Sequence, residues 1–295
     1  MRDLKLPEPI WCEGVGRFFK HYRGYVVDQW GVMHDGTRAY PGAVECLERL
    51  VAAGCVVVML SNSGRRAAPN AERIAAFGFG PRACSAIVTS GEVVWQKLRK
   101  GDDPDYRALG RRCLLFSSNG DRSLLEGLDL EQASDVTDAT FILLAGIDDD
   151  APPDALRDAL ERGARRGLPL VCANPDRVRI AGGGLVPSCG ALAHQYELMG
   201  GHVLWVGKPH PAVYQACRDL FSSSGVHEIV AIGDSIQHDV VGGAEAGLDT
   251  AFVTQGIHRD EFAAEIPSEQ RSARLHELGN HYGVRPDWVI ETLRW

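Results

Sequence analysis

The feature that most limits what this chain can fold into is a repeated unit: a short β-branched run, a polar or glycine turn, then a helical pattern. That alternation builds a parallel sheet with helices on both faces, an α/β fold of the Rossmann-like kind. The clearest runs are Tyr25-Val26-Val27, Val56-Val57-Val58-Met59-Leu60, Ile229-Val230-Ala231-Ile232 and Ala251-Phe252-Val253. The first three end in polar clusters: Asp28, then Ser61-Asn62, then Gly233-Asp234. Residues just past the carboxyl ends of parallel strands face a common crevice, so these clusters are expected to converge.

Between the first two runs, Pro41-Gly42 precedes Val44, Leu47, Leu50 and Val51 at helical spacing, and Gly54 can end that helix. A right-handed βαβ unit follows. The stretch 103–202 carries an alternation of its own: Leu114-Leu115-Phe116, Phe141-Ile142-Leu143-Leu144, a helix from Pro153 to Arg166 stopped by Gly167, then Leu170-Val171-Cys172. Because Asp28 and Asp234 bracket it, 103–202 reads as a small α/β domain inserted into a core made of 1–102 and 203–295. A chain of 295 residues is long enough for two such domains.

The formal charge of −8 argues against a nucleic-acid partner, whose phosphates need a positive surface. Arg65-Arg66 remains a local basic spot for single phosphates. Eight cysteines with no CxxC pair and no short Cys/His spacing suit reduced, mostly buried thiols in a cytosolic chain and disfavour zinc. The opening MRDLKLPEPIWCEG is charged and proline-containing where a signal peptide needs an apolar run, and nothing approaches the ~18 apolar residues of a membrane span. A soluble, cytoplasmic protein is expected, with no membrane partner. The sequence leaves open a homodimer.

Four segments can carry chemistry. Asp28 follows an apolar strand in Val26-Val27-Asp28-Gln29-Trp30-Gly31-Val32, where a carboxylate has no packing use, although a turn or capping Asp fits the same place. Leu60-Ser61-Asn62-Ser63-Gly64-Arg65-Arg66 offers hydroxyls, an amide and backbone N–H groups that can cradle phosphoryl oxygens or cap a helix. Val206-Gly207-Lys208-Pro209-His210-Pro211 supplies a cation just before a helix, or a solvated lysine. Ile232-Gly233-Asp234-Ser235-Ile236-Gln237-His238-Asp239 offers two hard oxygen ligands of the kind Mg²⁺ prefers, or a helix start favoured by acids.

In this order the four segments resemble the four motifs of the haloacid-dehalogenase superfamily of aspartate-nucleophile hydrolases. The resemblance narrows to class IIA, the branch of 4-nitrophenyl phosphatases, pyridoxal-phosphate phosphatase and NagD-type phosphatases. The shared features are Gly36, Pro41-Gly42-Ala43, Thr89-Ser90-Gly91-Glu92, Asn174-Pro175-Asp176, Gly207-Lys208-Pro209, and the run from Gly233-Asp234 through Gly243, Ala246-Gly247 and Gly256. The resemblance implies that Asp28 attacks phosphorus and forms an aspartyl-phosphate, which water then cleaves. It implies that Ser61, the backbone of Asn62 and Ser63 bind phosphoryl oxygens and that Lys208 steadies Asp28 and the transferring group. It also implies Mg²⁺ between Asp28, Asp234 and the main-chain carbonyl of Trp30, with Asp239 close by or bound through water. The inserted segment corresponds to a cap that closes over the site. Within it, Asn174, Asp176 and Arg177 are the residues expected to reach the substrate, with a polar turn as the other reading.

One residue departs from the pattern. Most phosphatases of this superfamily carry a second Asp two positions after the nucleophile, which protonates the leaving group and activates water; here that position is Trp30. Acid–base help of ~10²–10⁴-fold is lost unless His34, His210 or His238 supplies it, and each of those also reads as an ordinary surface or supporting histidine. An aromatic residue there is similar to the dehalogenase branch, but a carboxylate pair that binds metal has no use in halide displacement. A phosphonate hydrolase needs a lysine in its cap, and 103–202 contains none. The expected function is a Mg²⁺-dependent phosphatase of a small phosphorylated metabolite, such as a sugar or nucleotide phosphate. The alternatives are a catalytically weakened phospho-ligand-binding protein and a dehalogenase-like hydrolase.

Overall fold

The computed structural model describes residues 6–148, 153–181 and 184–295. Among these the strands are β1 (Ile10–Cys12), β2 (Gly24–Asp28), β3 (Val56–Ser61), β4 (Ala86–Thr89), β5 (Arg112–Phe116), β6 (Glu131–Gln132), β7 (Phe141–Leu144), β8 (Leu170–Cys172), β9 (Val178–Ala181), β10 (Gly184–Pro187), β11 (Val203–Trp205), β12 (Ile229–Gly233), β13 (Asp249–Val253) and β14 (Trp288–Ile290). The chain divides into two compact units, Met1–Ser61 with Ala71–Val88 and Tyr214–Trp295, and Asn62–Asn70 with Thr89–Val213. The second unit takes in all of 103–202 together with shorter flanking pieces.

The first unit is built on a seven-stranded sheet ordered β1-β14-β13-β12-β2-β3-β4, parallel from β1 through β3. Alternation along a strand sends side chains to opposite faces, and both faces are covered. Ala251 and Val253 of β13 join Val27, Val57, Met59 and Ile232 on one side, while Phe252 between them joins Ile236, Val240, Leu275 and Val289 on the other. The helix Ala43–Ala52 lays Ala43, Cys46, Leu47 and Leu50 on the first face, each fully buried. Each leucine buried this way contributes about 1.5–3 kcal/mol. Gly54, at φ 80°, ends the helix as its spacing predicted.

The second unit has its own parallel sheet, ordered β11-β8-β7-β5-β6, and an antiparallel pair, β9 with β10. Leu114, Ile142, Leu144, Leu170 and Cys172 from the sheet pack with Leu160, Ala193 and Tyr196 from its helices. The predicted parallel-sheet α/β architecture is present in both units. Seven of the strands, β1 and β14 among them, were not foreseen. Ile10–Cys12 sits among prolines and charges, and it becomes a strand only by pairing with β14 near the other end of the chain, Trp11 opposite Val289.

Candidate active site

Asp28 is the last residue of β2, and its backbone pairs with Leu60 of β3. Asp234 follows β12, the neighbour of β2 on the other side. Asp239 lies in the short helical turn Ile236–Val240, whose cap Ser235 accepts a hydrogen bond from the His238 N–H at 3.1 Å. One carboxylate oxygen from each of Asp28, Asp234 and Asp239 lies within 4.8 Å of the others, and all three side chains are buried at 9%, 3% and 4% exposure. Three converging carboxylates suit a hard divalent cation, and their mutual repulsion makes the positive charge useful.

Glycines let these carboxylates meet. A Cβ on Gly233 would come within 2.0 Å of the Asp239 carboxyl carbon, and Cβ atoms on Gly31 and Gly256 would come within 2.0 and 1.9 Å of Asp234 Oδ2. Gly31 also needs φ +87°, a conformation alanine resists. Between these walls, Asp234 Oδ2 accepts the Ile257 N–H at 2.8 Å, and Asp239 Oδ2 accepts the Ser235 N–H at 3.1 Å.

The loop after Asp28 is tightly held. Met33 N–H donates to Gln29 O at 2.8 Å and Gly31 N–H to His34 O at 2.9 Å, while Asp35 Oδ1 accepts from Thr37 N–H, Thr37 Oγ1 and Arg38 N–H. His34 Nδ1 accepts the Gly36 N–H at 3.1 Å. Burial, reinforced by Arg73, pushes that imidazole down to about 4, so at neutral pH His34 carries no charge and no imidazolium proton to give. His210 stacks on Trp205 at 5.7 Å, and the His238 carbonyl accepts the Tyr214 hydroxyl.

In the second unit three distant segments meet at Asn62. Its Oδ1 accepts the Lys208 N–H at 2.6 Å, and its Nδ2 donates to Asp176 Oδ1 at 2.8 Å. Lys208 and Asn62 are 3% and 5% exposed. The Asn62 side chain thus bonds to Asp176 and holds the backbone of the lysine segment, which leaves the expected role of the Asn62 backbone at the phosphoryl oxygens untouched. Asn174 Oδ1 accepts the Asp176 N–H at 3.1 Å, making a polar turn, and Arg177 is exposed. Ser63 Oγ accepts the Arg65 N–H at 3.3 Å. Ser61, half-buried, ends β3 in the first unit.

Glu92, which the sequence marks only as part of a shared motif, organises the segment after Asn62. It takes Arg66 Nε at 2.6 Å and Nη2 at 3.2 Å and accepts the Ala67 N–H, while the Arg66 guanidinium lies 3.6 Å from the Trp95 ring centre. Burial works against the Glu92 carboxylate, but its bonds from Arg66 and Ala67 outweigh it and hold it below its ordinary value. The signal was in the sequence: Thr89-Ser90-Gly91-Glu92 has capping-box spacing, and Thr89 Oγ1 accepts the Glu92 N–H at 3.0 Å. A separate cavity, bordered by Phe116, Ser117, Arg122, Ser134, Ile147 and Asp148 at the carboxyl ends of β5 and β7, contains none of the predicted site residues.

None of the eight cysteines is in a disulfide, and six are buried. Among the described residues no helix is long and apolar enough to cross a membrane.

Models described as haloacid dehalogenase-like hydrolase match residues 25–131 and 95–247, and one described as HAD-hydrolase-like matches 205–295. Human chronophin is 30% identical over 271 residues, covering 89% of this chain and 90% of chronophin. The ribonucleotide monophosphatase NagD of Escherichia coli K12 is 28% identical over 233 residues, 77% of this chain and 84% of its own length. A haloacid dehalogenase-like hydrolase from Brucella suis 1330 superposes with TM-score 0.79 at 27% identity, covering 96% of this chain and 99% of that one. With that kinship and these motifs, the chain belongs to the haloacid dehalogenase-like hydrolases, in their class IIA branch, and is a phosphoric monoester hydrolase.

Proposed function

We propose that this enzyme is a Mg²⁺-dependent phosphatase of a small phosphorylated metabolite, with Asp28 as the phosphoryl acceptor. The observation that carries the reading is the convergence of Asp28, Asp234 and Asp239 at the carboxyl ends of adjacent strands. A carboxylate oxygen of Asp28 bonds to phosphorus as the ester P–O bond breaks and its electron pair leaves with the alcohol oxygen. Water then attacks the aspartyl-phosphate, freeing inorganic phosphate and regenerating Asp28. Asp234, Asp239 and the Trp30 carbonyl, with Asp28, would hold the cation. Bound there, Mg²⁺ supplies positive charge against the oxygens that gain charge at the transition state.

Lys208 completes the charge balance, and the Asn62 clamp on its backbone keeps the lysine segment in place. Ser61 and Ser63 supply hydroxyls for phosphoryl oxygens, Arg177 a cation for the substrate, and residues 103–202 the cap. The metabolite screened first is a sugar or nucleotide phosphate, the substrate kind in the names of an acid sugar phosphatase from Staphylococcus aureus and of NagD. Trp30, which removes the usual proton donor, also supports a second reading: a protein that binds phosphorylated ligands with little turnover. The test is a metabolite-phosphate panel with Mg²⁺, repeated on Asp28→Asn. Turnover lost in the variant supports the phosphatase, whereas saturable binding without turnover in the wild type supports the second reading.

A further inference from the structure

We propose that Asp176 is a positioning residue for Lys208: its carboxylate sets the direction of the Asn62 amide, and that amide sets the backbone that carries the lysine. The inference rests on the phosphatase reading, in which Lys208 acts on the transferring group.

The Asn62 side chain pairs with both backbone groups of Lys208. Its Oδ1 accepts the Lys208 N–H at 2.6 Å, and its Nδ2 donates to Asp176 Oδ1 at 2.8 Å and to the Lys208 carbonyl at 3.4 Å. The carbonyl is the weaker acceptor at that distance, so the Asp176 carboxylate is the firmer hold on the nitrogen end. A carboxylate only accepts and a backbone N–H only donates. Turned over, Asn62 would set Oδ1 against the Asp176 carboxylate and Nδ2 against the Lys208 N–H, two repulsive contacts in place of two bonds. At 5% exposure Asn62 has little water to take up such a mismatch, and an unmet buried polar group is costly. Asp176 thereby selects the orientation that grips Lys208.

Asp176 can do this because its own turn is firmly seated. Its N–H donates to Asn174 Oδ1 at 3.1 Å, and its carbonyl accepts the Gly190 N–H at 2.9 Å near the start of the helix Cys189–Leu198. Pro175 is wedged between two glycines: a Cβ on Gly190 would lie 2.0 Å from the Pro175 carbonyl oxygen, and one on Gly207 2.4 Å from Pro175 Cδ. Gly207 immediately precedes Lys208, so the same turn reaches the lysine segment twice, once by packing and once through Asn62. All of these residues belong to the second unit. The arrangement gives Asp176 a task other than touching the substrate, since a misplacement of about 1 Å in a reacting group costs roughly a hundredfold in rate.

Leaving-group size separates positioning from substrate contact. Asp176→Ala is compared with Asp176→Asn, which keeps an acceptor oxygen, on acetyl phosphate and on the best sugar or nucleotide phosphate of the panel. Loss of a positioning residue should lower kcat by about ten- to a hundredfold, by the same factor for both esters, with Asp176→Asn close to the wild type. A loss confined to the KM of the larger ester, or no loss, overturns the proposal. The second measurement is calorimetric titration with inorganic phosphate in Mg²⁺. Asp176→Ala should weaken phosphate about tenfold in the wild-type background and leave it unchanged in Lys208→Ala, because the effect passes through the lysine. Equal weakening in both backgrounds overturns the proposal. If Asp176→Ala does not fold, Asp176→Ser, equally short of Asn62 yet polar, replaces it in both assays. A wild type that turns over no ester refutes the phosphatase reading separately, and the phosphate titration still decides the role of Asp176; a wild type that also binds no phosphate overturns both.

Discussion

Replacing Gly31 by alanine puts a methyl group where the Asp234 carboxylate sits. Two costs follow, and a second glycine separates them. The first is conformational: a residue with Cβ at φ +87° costs about 1–2 kcal/mol. Gly78, at φ +99° with no atom nearer than 3.6 Å to its added Cβ, incurs only that cost in Gly78→Ala. The second is steric: the new Cβ would lie 2.0 Å from Asp234 Oδ2, and moving that oxygen breaks its 2.8 Å bond from Ile257 N–H. A hydrogen bond to a charged group contributes about 1.5–3 kcal/mol, so Gly31→Ala should cost about 2.5–5 kcal/mol in all. The displaced ligand should also weaken Mg²⁺ by about tenfold or more, as loss of ligand support does elsewhere. In thermal or urea unfolding, tenfold weaker binding removes about 1.4 kcal/mol of the stabilisation Mg²⁺ confers. Gly78→Ala should keep the whole of that stabilisation and melt only a few degrees lower. If Gly31→Ala melted like Gly78→Ala and gained as much from Mg²⁺ as the wild type, the carboxylate slot would have no role in metal binding.

Asp28→Asn should abolish turnover of any ester the wild type hydrolyses while leaving circular dichroism unchanged, because the replacement is nearly isosteric; wild-type turnover would remove Asp28 from the mechanism. Excess chelator should eliminate activity, with Mg²⁺ restoring it and Ca²⁺ restoring it poorly, since Ca²⁺ prefers longer bonds and looser coordination; full activity in chelator would point to metal-free, dehalogenase-like chemistry. Glu92→Gln leaves the Arg66 guanidinium without its carboxylate in a site where the pair is 20% and 17% exposed, so urea unfolding should register a loss of about 1–3 kcal/mol. The sign follows the carboxylate's lowered value: the wild-type advantage should be present above the ordinary carboxylate range and fade as pH falls through it.

Local pattern alone determined a good deal of this protein. The runs beginning at Tyr25, Val56 and Ile229 announce buried parallel strands because such strands are apolar on both faces, and the structure places them side by side as β2, β3 and β12. A polar residue ending each run marks the carboxyl edge, so Asp28 and Asp234 were legible as partners before any contact was known. The helix from Pro211 and the stop at Gly54 were legible for the same reason, since caps and stops are local signals.

What tertiary structure decided is the set of relations that local pattern does not encode. Nothing near Ile10 reveals that it pairs opposite Trp288, because a three-residue strand has no periodicity of its own. Nothing near Asn62 shows that its amide is taken up by Asp176 and the backbone of Lys208, more than a hundred residues away. Trp30 was conspicuous as a missing acid, but only the packed loop shows an indole left open beside Gly36. Short-range periodicity depends on each residue's own backbone and neighbours, whereas side-chain commitment depends on which distant atoms the packed core brings within bonding distance.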